Sequence, residues 1–376
     1  DAFLFLKEKY NMIKNKAYKF RIYPNQKQME LIEKTFGCTR FVFNYFLEQS
    51  INSYKEEKKK MRYKDYASTL VELKKEKEFL KEVDSISLQQ SLRHLDAAYS
   101  NFFKNKETRF PKFKSKKNDK SYTTVTVNNN IKLEDKYIVL PKLGKVRIKM
   151  HRKINQDEKI KSVIISRVSD KYYVSLVVTY EAQEINHTRK NFVIGLDYSM
   201  DKLFVSSEKE YQTNKESLHN YQKYEEKLAK AQRRLSNCLK QSKRYQKQKL
   251  KVIKIYEKIA NKRKDYLHKE SRKIANFYDV VVIESLDMKK MSSSNLKLGK
   301  GIFDNGWGMF TNYLKYKLED QGKRLIKIDK YYPSSKICSN CGHIHTELKL
   351  CEREWICSEC KTTHNRDYNA AKNIKK

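Results

Sequence analysis

The sequence predicts a multidomain α+β protein, and three observations carry that class. Two short β-branched runs, Phe192-Val-Ile-Gly-Leu-Asp197 and Asp279-Val-Val-Val-Ile-Glu284, each end in an acid and read as strands covered on both faces. Stretches with apolar residues at three- and four-residue spacing read as helices, and a series of short alternating segments reads as a small β-barrel. Two Cys-x-x-Cys pairs near the end add a metal-held ribbon.

In chain order, residues 1–11 precede Met12 and receive no role. Residues 12–25 supply a first strand, which Pro24-Asn25 breaks, and that strand belongs with the later barrel. Residues 26–107 read as helical. Met29, Ile32 and Phe36, then Leu70 and Leu73, then Leu88, Leu92, Leu95, Tyr99 and Phe102 form apolar stripes, and the last stripe reads as a bundle core. Around it, Gln89, Gln90, Arg93 and Lys104 are candidates to face nucleic acid. Residues 108–190 return to short strands, expected at Tyr122–Val127, Tyr137–Leu140, Val146–Lys149, Ser162–Val168 and Tyr172–Tyr180. The segment opening them, Thr108-Arg109-Phe-Pro-Lys112-Phe-Lys114-Ser-Lys-Lys117, reads equally as a solvated linker or as a loop gripping phosphates.

Residues 191–332 form a further α/β region. The Asp197 strand is followed by Lys202-Leu-Phe-Val-Ser206, so a hairpin is expected there. Between it and the Glu284 strand, residues 215–278 carry Tyr221, Tyr224, Leu228, Ala231, Leu235 and Cys238 at heptad spacing. Val252, Tyr256 and Ile259 resume that spacing after a break near Lys240–Arg244, which predicts an antiparallel helical hairpin. Met288 to Gly301 is rich in Lys, Ser, Asn and Gly and reads as a loop. A helix near Trp307–Asp320 and a strand at Arg324–Asp329 lead into residues 333–362, the ribbon, and 363–376 close the chain as a helix.

The chemistry lies in two constellations. Cys338, Cys341, Cys357 and Cys360 complete a closed tetrahedral shell of thiolates, with fifteen residues between the second and third cysteines. Such a shell holds structural zinc and leaves no open position for catalysis. Asp367, in His364-Asn-Arg-Asp-Tyr-Asn-Ala-Ala371, reads alone as an ordinary acid in a helix's first turn. Beside two strand-end acids it completes the pattern of a site assembled at one edge of a sheet. Clustered carboxylates need cations, and oxygen ligands select magnesium or manganese. Two such ions about 3.5–4 Å apart activate a water and stabilise the leaving oxygen of a phosphodiester.

Gly195-Leu-Asp197, Val282-Ile-Glu284-Ser-Leu, Pro333-Ser-Ser-Lys-Ile-Cys338-Ser-Asn-Cys341-Gly and Asn365-Arg-Asp367-Tyr-Asn-Ala-Ala together resemble the TnpB (OrfB) family. These are the RNA-guided nucleases of insertion sequences. Tyr18-Lys-Phe-Arg-Ile-Tyr-Pro24 and Phe303-Asp-Asn-Gly-Trp307-Gly-Met-Phe310 extend the resemblance from about Met12 to the end of the chain. It implies an RNase H-like (RuvC) nuclease domain with an inserted zinc ribbon and helical hairpin. It also implies a β-barrel wedge domain with an inserted helical recognition lobe. Asp197, Glu284 and Asp367 would be the catalytic acids and hold two magnesium (or manganese) ions, and the four cysteines would hold one zinc. Guide RNA and target double-stranded DNA would be the partners, and Met288–Gly301 a lid. A miniature type V CRISPR effector shares this chemistry. A guided repressor without nuclease activity is the reading from another class, and the presence of all three acids argues against it.

Composition points the same way. With 82 Lys and Arg against 45 Asp and Glu, the chain carries +37, and 26 Tyr and 17 Phe are interleaved with that charge. Such a field recruits polyanions, and aromatic faces stack bases. There is no Gly-x4-Gly-Lys-Ser/Thr, so ATP-driven work is not expected. His343-Ile-His345 has the form of a single-strand transposase motif but lies between the zinc-ligand pairs. Cys38, Cys238 and Cys351 show no disulfide pattern, and no run reaches the length of a membrane span. A cytoplasmic, prokaryotic protein that works at the nucleoid is expected.

Overall fold

The computed structural model describes residues 12–117, 120–182, 192–200, 202–208, 215–288, 291, 306–349 and 351–376. They fall into two units, Asp1–Gln183 and Glu184–Lys376. The N-terminal extension, nearly all of the expected lid and Phe303–Asn305 of the family-like segment lie outside the described residues.

The first unit is a seven-stranded antiparallel sheet with helices inserted after its first strand. The strands are β1 (Met12–Tyr23), β2 (Ser121–Val125), β3 (Lys132–Glu134), β4 (Tyr137–Leu140), β5 (Gly144–Lys149), β6 (Lys159–Val168) and β7 (Lys171–Ala182). Their order is β2-β6-β7-β1-β5-β4-β3. The first strand pairs with β7 from Met12↔Ala182 to Ile22↔Tyr172, and with β5, as its alternation predicts. The two end strands of that order are not paired with each other among the described residues, and side chains of six of the seven strands share one core. Three-residue β3 is too short to leave an alternation signal in the sequence.

The first helix, α1 (Gln26–Glu57), starts where Asn25 and Gln28 exchange reciprocal capping bonds, and ends at Lys58 in the left-handed region. It spans two cores. Ile32 and Phe36 pack on the sheet with Phe20, Val174 and Leu176, while Val42, Phe46 and Leu47 pack against α2 (Tyr63–Glu76) and α3 (Ser85–Lys104). Leu88, Leu92 and Leu95 of α3 are fully buried, each worth about 1.5–3 kcal/mol of burial. At its C-terminal end the stripe borders an open cavity: Tyr99 still packs against the bundle core, while Phe102 lines the cavity outside it.

The second unit is built on a four-stranded sheet in the order β11-β10-β8-β9, from β8 (Val193–Ser199), β9 (Leu203–Ser206), β10 (Val280–Glu284) and β11 (Arg324–Ile328). The β8–β9 pair is the expected antiparallel hairpin, and β10 lies parallel to both β8 and β11. Parallel neighbours need crossovers. The first carries the helical hairpin α4 (Lys215–Ser236) and α5 (Lys243–Phe277), the second α6 (Trp307–Glu319). Leu267 and Ile274 of α5 and Phe310, Leu314 and Leu318 of α6 cover one face of the sheet. In the hairpin seam Ala231, Val252 and Ile259 are buried as predicted, but Tyr256 is half exposed and hydrogen-bonded to Gln232. The other face of the sheet carries α7 (Arg366–Lys375), reached through the ribbon hairpin β12 (Glu354–Ile356) and β13 (Thr363–Asn365).

Candidate active site and metal centre

Strand alternation sorts the β8 side chains. Ile194 and Leu196 enter the core against α5 and α6, so Gly195 and Asp197 face the side that carries α7. On β10 the same rule buries Val281 and Ile283 and turns Glu284 to the α7 side. The two strands are in parallel register up to Leu196↔Ile283, so Asp197 and Glu284 are the next residues on adjacent strands, at their carboxyl ends. Carboxyl ends of parallel strands are where open α/β sheets place ligands. Asp367 is the second residue of α7, whose first turn is capped by the Asn365 side chain on the Tyr368 amide, 3.2 Å away.

The approach of α7 depends on small residues. A methyl built on Gly195 would lie 2.2 Å from the Ala371 carbonyl oxygen and 2.6 Å from the Lys375 amide nitrogen. Ala370 and Ala371 are buried in that contact. Residues from three distant parts of the chain thereby line one cavity of about 660 Å³: Asp197, Glu284 and Asp367, with Ser334, Arg353 and Arg366. Burial first, then the nearby Glu284 and Asp367 carboxylates, hold Asp197 well above the usual carboxylate range. Glu284 accepts a 2.5 Å bond from the Ser334 hydroxyl, and Asp367 accepts bonds of 3.2 and 3.4 Å from Arg353. The mutual repulsion of these acids is the condition a divalent cation relieves.

Cys338, Cys341, Cys357 and Cys360 form a compact group that could hold an ion, with all four sulfurs within 4.8 Å of one another. Cys338 and Cys360 sulfurs are 3.5 Å apart, and those of Cys341 and Cys357 3.6 Å. A tetrahedron with Zn–S bonds of about 2.3 Å has edges of about 3.8 Å, so the four residues fit zinc. The Thr362 hydroxyl and amide draw Cys360 down to about 5. Against a lowering backbone bond from His343, burial and the neighbouring sulfurs push Cys341 up to about 12. His364, its ring tilted against Trp355, places Nε2 3.0 Å from the Cys338 sulfur.

The ribbon is tied directly to α7. The buried Asn373 side chain donates to the carbonyls of Ser334 (2.8 Å) and Ile337 (2.6 Å), and Asn369 donates to Ile337 (2.7 Å) and accepts from the Ser339 amide (2.9 Å). The first cysteine knuckle, the helix bearing Asp367 and the serine touching Glu284 thus form one hydrogen-bonded assembly. Sequence reasoning quoted Pro333-Ser-Ser and Asn-Arg-Asp as motifs but gave no role to Ser334, Arg353, Arg366, Asn369 or Asn373. The signal for the last two was present, an i, i+4 pair of asparagines inside a helix, where asparagine is a weak helix former. His343 and His345 lie in the ribbon, the first beside Ser358 and the second against Trp355.

The nucleic-acid candidates lie in the first unit. Gln89 and Arg93 are exposed on α3 and Gln90 is half-buried, and the Arg93 guanidinium lies 4.3 Å from the Tyr63 ring centroid. Arg109 and Lys112 are exposed, and Lys104 lines the α3 cavity. Lys114 is held in place, its backbone bonded both ways to the Asn44 side chain and its ammonium 4.1 Å from the Phe43 ring.

Family models match three segments: a Cas12f1-like TNB domain at residues 307–374, a "Probable transposase" at 175–295 and a helix-turn-helix domain at 12–59. The last of these is here a strand followed by a single helix. A Streptomyces pristinaespiralis protein named "Putative RNA-guided DNA endonuclease" is 33% identical over 363 residues, covering 96% of this chain and 88% of its own. An Escherichia coli (strain K12) protein of the same description is 34% identical over 376 residues, covering 95% and 91%. The structure of Cas12f1 in a complex with sgRNA and target DNA superposes with a TM-score of 0.53 at 14% identity, covering 97% of this chain and 99% of that one, which is a likeness of fold. The chain belongs to the TnpB (OrfB) family. No helix among its described residues is long and apolar enough to cross a membrane.

Proposed function

We propose that this chain is an RNA-guided, metal-dependent DNA endonuclease of an insertion sequence, cutting target DNA beside a short adjacent motif. One observation carries the site: Asp197, Glu284 and Asp367, spread over 170 residues of sequence, line one cavity, where burial and then the other two carboxylates raise the proton affinity of Asp197. In this reading the sheet of the second unit is an RNase H-like (RuvC) core with the ribbon (333–362) inserted before its last helix. The first unit supplies the wedge (12–25 and 108–190) and the recognition lobe (26–107), which hold guide RNA and target DNA.

The chain's own residues would act as follows. Rigid β8 and β10 fix Asp197 and Glu284, and Ser334 orients the Glu284 carboxylate by its short hydrogen bond. The three acids would hold magnesium or manganese, which when bound supplies water activation and stabilises the leaving oxygen. Arg353 and Arg366, in the cavity wall, offer positive charge to the phosphodiester. Zinc on the four cysteines is structural and holds the ribbon against α7.

The test is to co-express the full chain with its flanking DNA, sequence the co-purifying RNA, and assay magnesium-dependent cleavage of the matching duplex. One discrete RNA running past the element boundary, and a cut that Asp197→Ala abolishes while RNA is retained, are expected. Heterogeneous RNA would refute guidance, and unchanged cleavage by Asp197→Ala would refute the site.

A further inference from the structure

A second cavity, of about 590 Å³, opens in the first unit between the C-terminal ends of α1 and α3. Its walls are aromatic and unusually exposed: Tyr54 is 50% exposed, Phe103 62% and Phe110 43%. Phe103 and Phe110 belong to one ring cluster with Tyr99 and Phe102. Tyr99 stacks on Phe103 at 6.4 Å, and Phe110 meets Phe102 edge-on at 5.4 Å. Rings that serve only as core are covered, and exposed Phe103 and Phe110 in one ring cluster on so polar a chain mark a binding surface.

The rim states what the surface binds. Lys55, Lys59, Lys60 and Lys104 surround the opening, and the Lys60 ammonium already lies 5.1 Å from the Phe103 ring centroid. Aromatic faces ringed by lysines match the two halves of a nucleotide, a base to stack and a phosphate to neutralise. A purely apolar protein segment would leave those ammonium groups facing nothing. Half-buried Asp96 is also in the wall, and its carboxylate makes no hydrogen bond or ion pair among the described residues. A carboxylate accepts from an exocyclic amine, as acids do from cytosine N4, and has no such donor in uracil.

We propose that this cavity stacks one unpaired, amino-bearing RNA base on Phe103 and Phe110, with its flanking phosphates on the lysine rim. RNA is the fitting source because its loops and bulges present bases already unstacked, whereas duplex DNA must first be opened. This deepens the proposal that the chain holds RNA, but its test does not depend on guidance.

The experiment measures fluorescence anisotropy of the full chain with 5′-fluorescein single-stranded RNA decamers rA10, rC10 and rU10, and with dA10, at one salt concentration. The Phe103→Leu/Phe110→Leu double variant keeps apolar bulk and loses the rings, and Phe103→Tyr/Phe110→Tyr restores them. Expected are about tenfold weaker rA10 and rC10 binding in the leucine variant, recovery in the tyrosine variant, and a smaller loss for rU10. Ultraviolet cross-linking should place adducts on peptides carrying Tyr54, Phe103 or Phe110. Leucine-variant binding within twofold of wild type, with an unchanged melting curve and no adduct on those peptides, overturns the site. An equal loss for dA10 overturns the assignment to RNA. Loss of binding in the tyrosine variant too overturns stacking. A heterogeneous RNA pool in the co-expression test would count against guidance and leave these outcomes as they stand.

Discussion

Replacing Gly195 with alanine adds a single methyl where β8 and α7 touch backbone to backbone. That methyl would sit 2.2 Å from the Ala371 oxygen, 2.6 Å from the Lys375 nitrogen and 3.0 Å from the Lys375 Cα. None of these atoms belongs to a side chain that can swing aside, so α7 itself must recede. Restoring an ordinary contact moves the helix by about 1 Å, and a displacement of about 1 Å in a reacting constellation costs roughly 100-fold in rate. Asp367 rides one turn before Ala371 on the same helix, while Asp197 stays on β8, so the displacement separates two of the three acids. Overpacking of this kind also destabilises by about 1–3 kcal/mol. The assay is single-turnover cleavage at saturating magnesium with RNA occupancy matched, alongside a melting curve. Expected are a cleavage rate down by about 100-fold, unchanged RNA retention and a melting point a few degrees lower. Gly308→Ala is the control, because a methyl there meets nothing within 4 Å. A Gly195→Ala protein with lowered melting but cleavage within threefold of wild type would refute the link between α7 placement and catalysis.

Other perturbations follow from the same geometry. Cys357→Ser, or exhaustive chelation, should take bound zinc from one per chain to none and reduce cleavage at least tenfold, because the ribbon and α7 share the Asn369 and Asn373 bonds. Full cleavage by protein shown to be zinc-free would contradict that coupling. Lys317 is 3% exposed, its ammonium 2.7 Å from both the His268 carbonyl and the Ser271 hydroxyl, and burial, then Arg272, lowers it from 10.5 to about 8. Between those values the unfolded chain keeps a proton that the folded chain releases, so stability should rise with pH from about 8 toward 10.5. Below that window the buried charge costs up to about 3 kcal/mol. Lys317→Met should flatten the rise, and melting points climbing equally in both proteins between pH 8 and 10 would count against it.

What the chain states locally was legible from its residues. Two β-branched runs ending in acids became β8 and β10 because their continuous apolar character suits strands covered on both faces. The cysteine spacing marked two hooks, since each Cys-x-x-Cys is a local turn, and the folded ribbon brings their four sulfurs within 4.8 Å. The hairpin of helices was legible for a similar reason, as heptad spacing is a property of one helix. Elsewhere sequence pattern misled. The α3 stripe reads as uniform core, yet its last turn leaves the bundle core at Phe102, which walls a cavity. Nothing in the periodicity marks where a neighbouring helix ends.

The sequence by itself marked the elements, the two cysteine hooks and the acids at the ends of two strands and the start of a helix, because each of these depends on residues near one another along the chain. Only the tertiary structure decided that Asp197 and Glu284 share a face, which follows from the parallel register of β8 and β10. It alone decided that α7 lies close enough for Asp367 to join them, which requires the missing side chain at Gly195 and the small Ala371 opposite it. The wiring of the ribbon into that site through Ser334, Asn369 and Asn373 is likewise a matter of contacts 30 to 50 residues apart. Polar pairs at such separations leave no period in a sequence, because their geometry exists only once the strands and helices between them have packed.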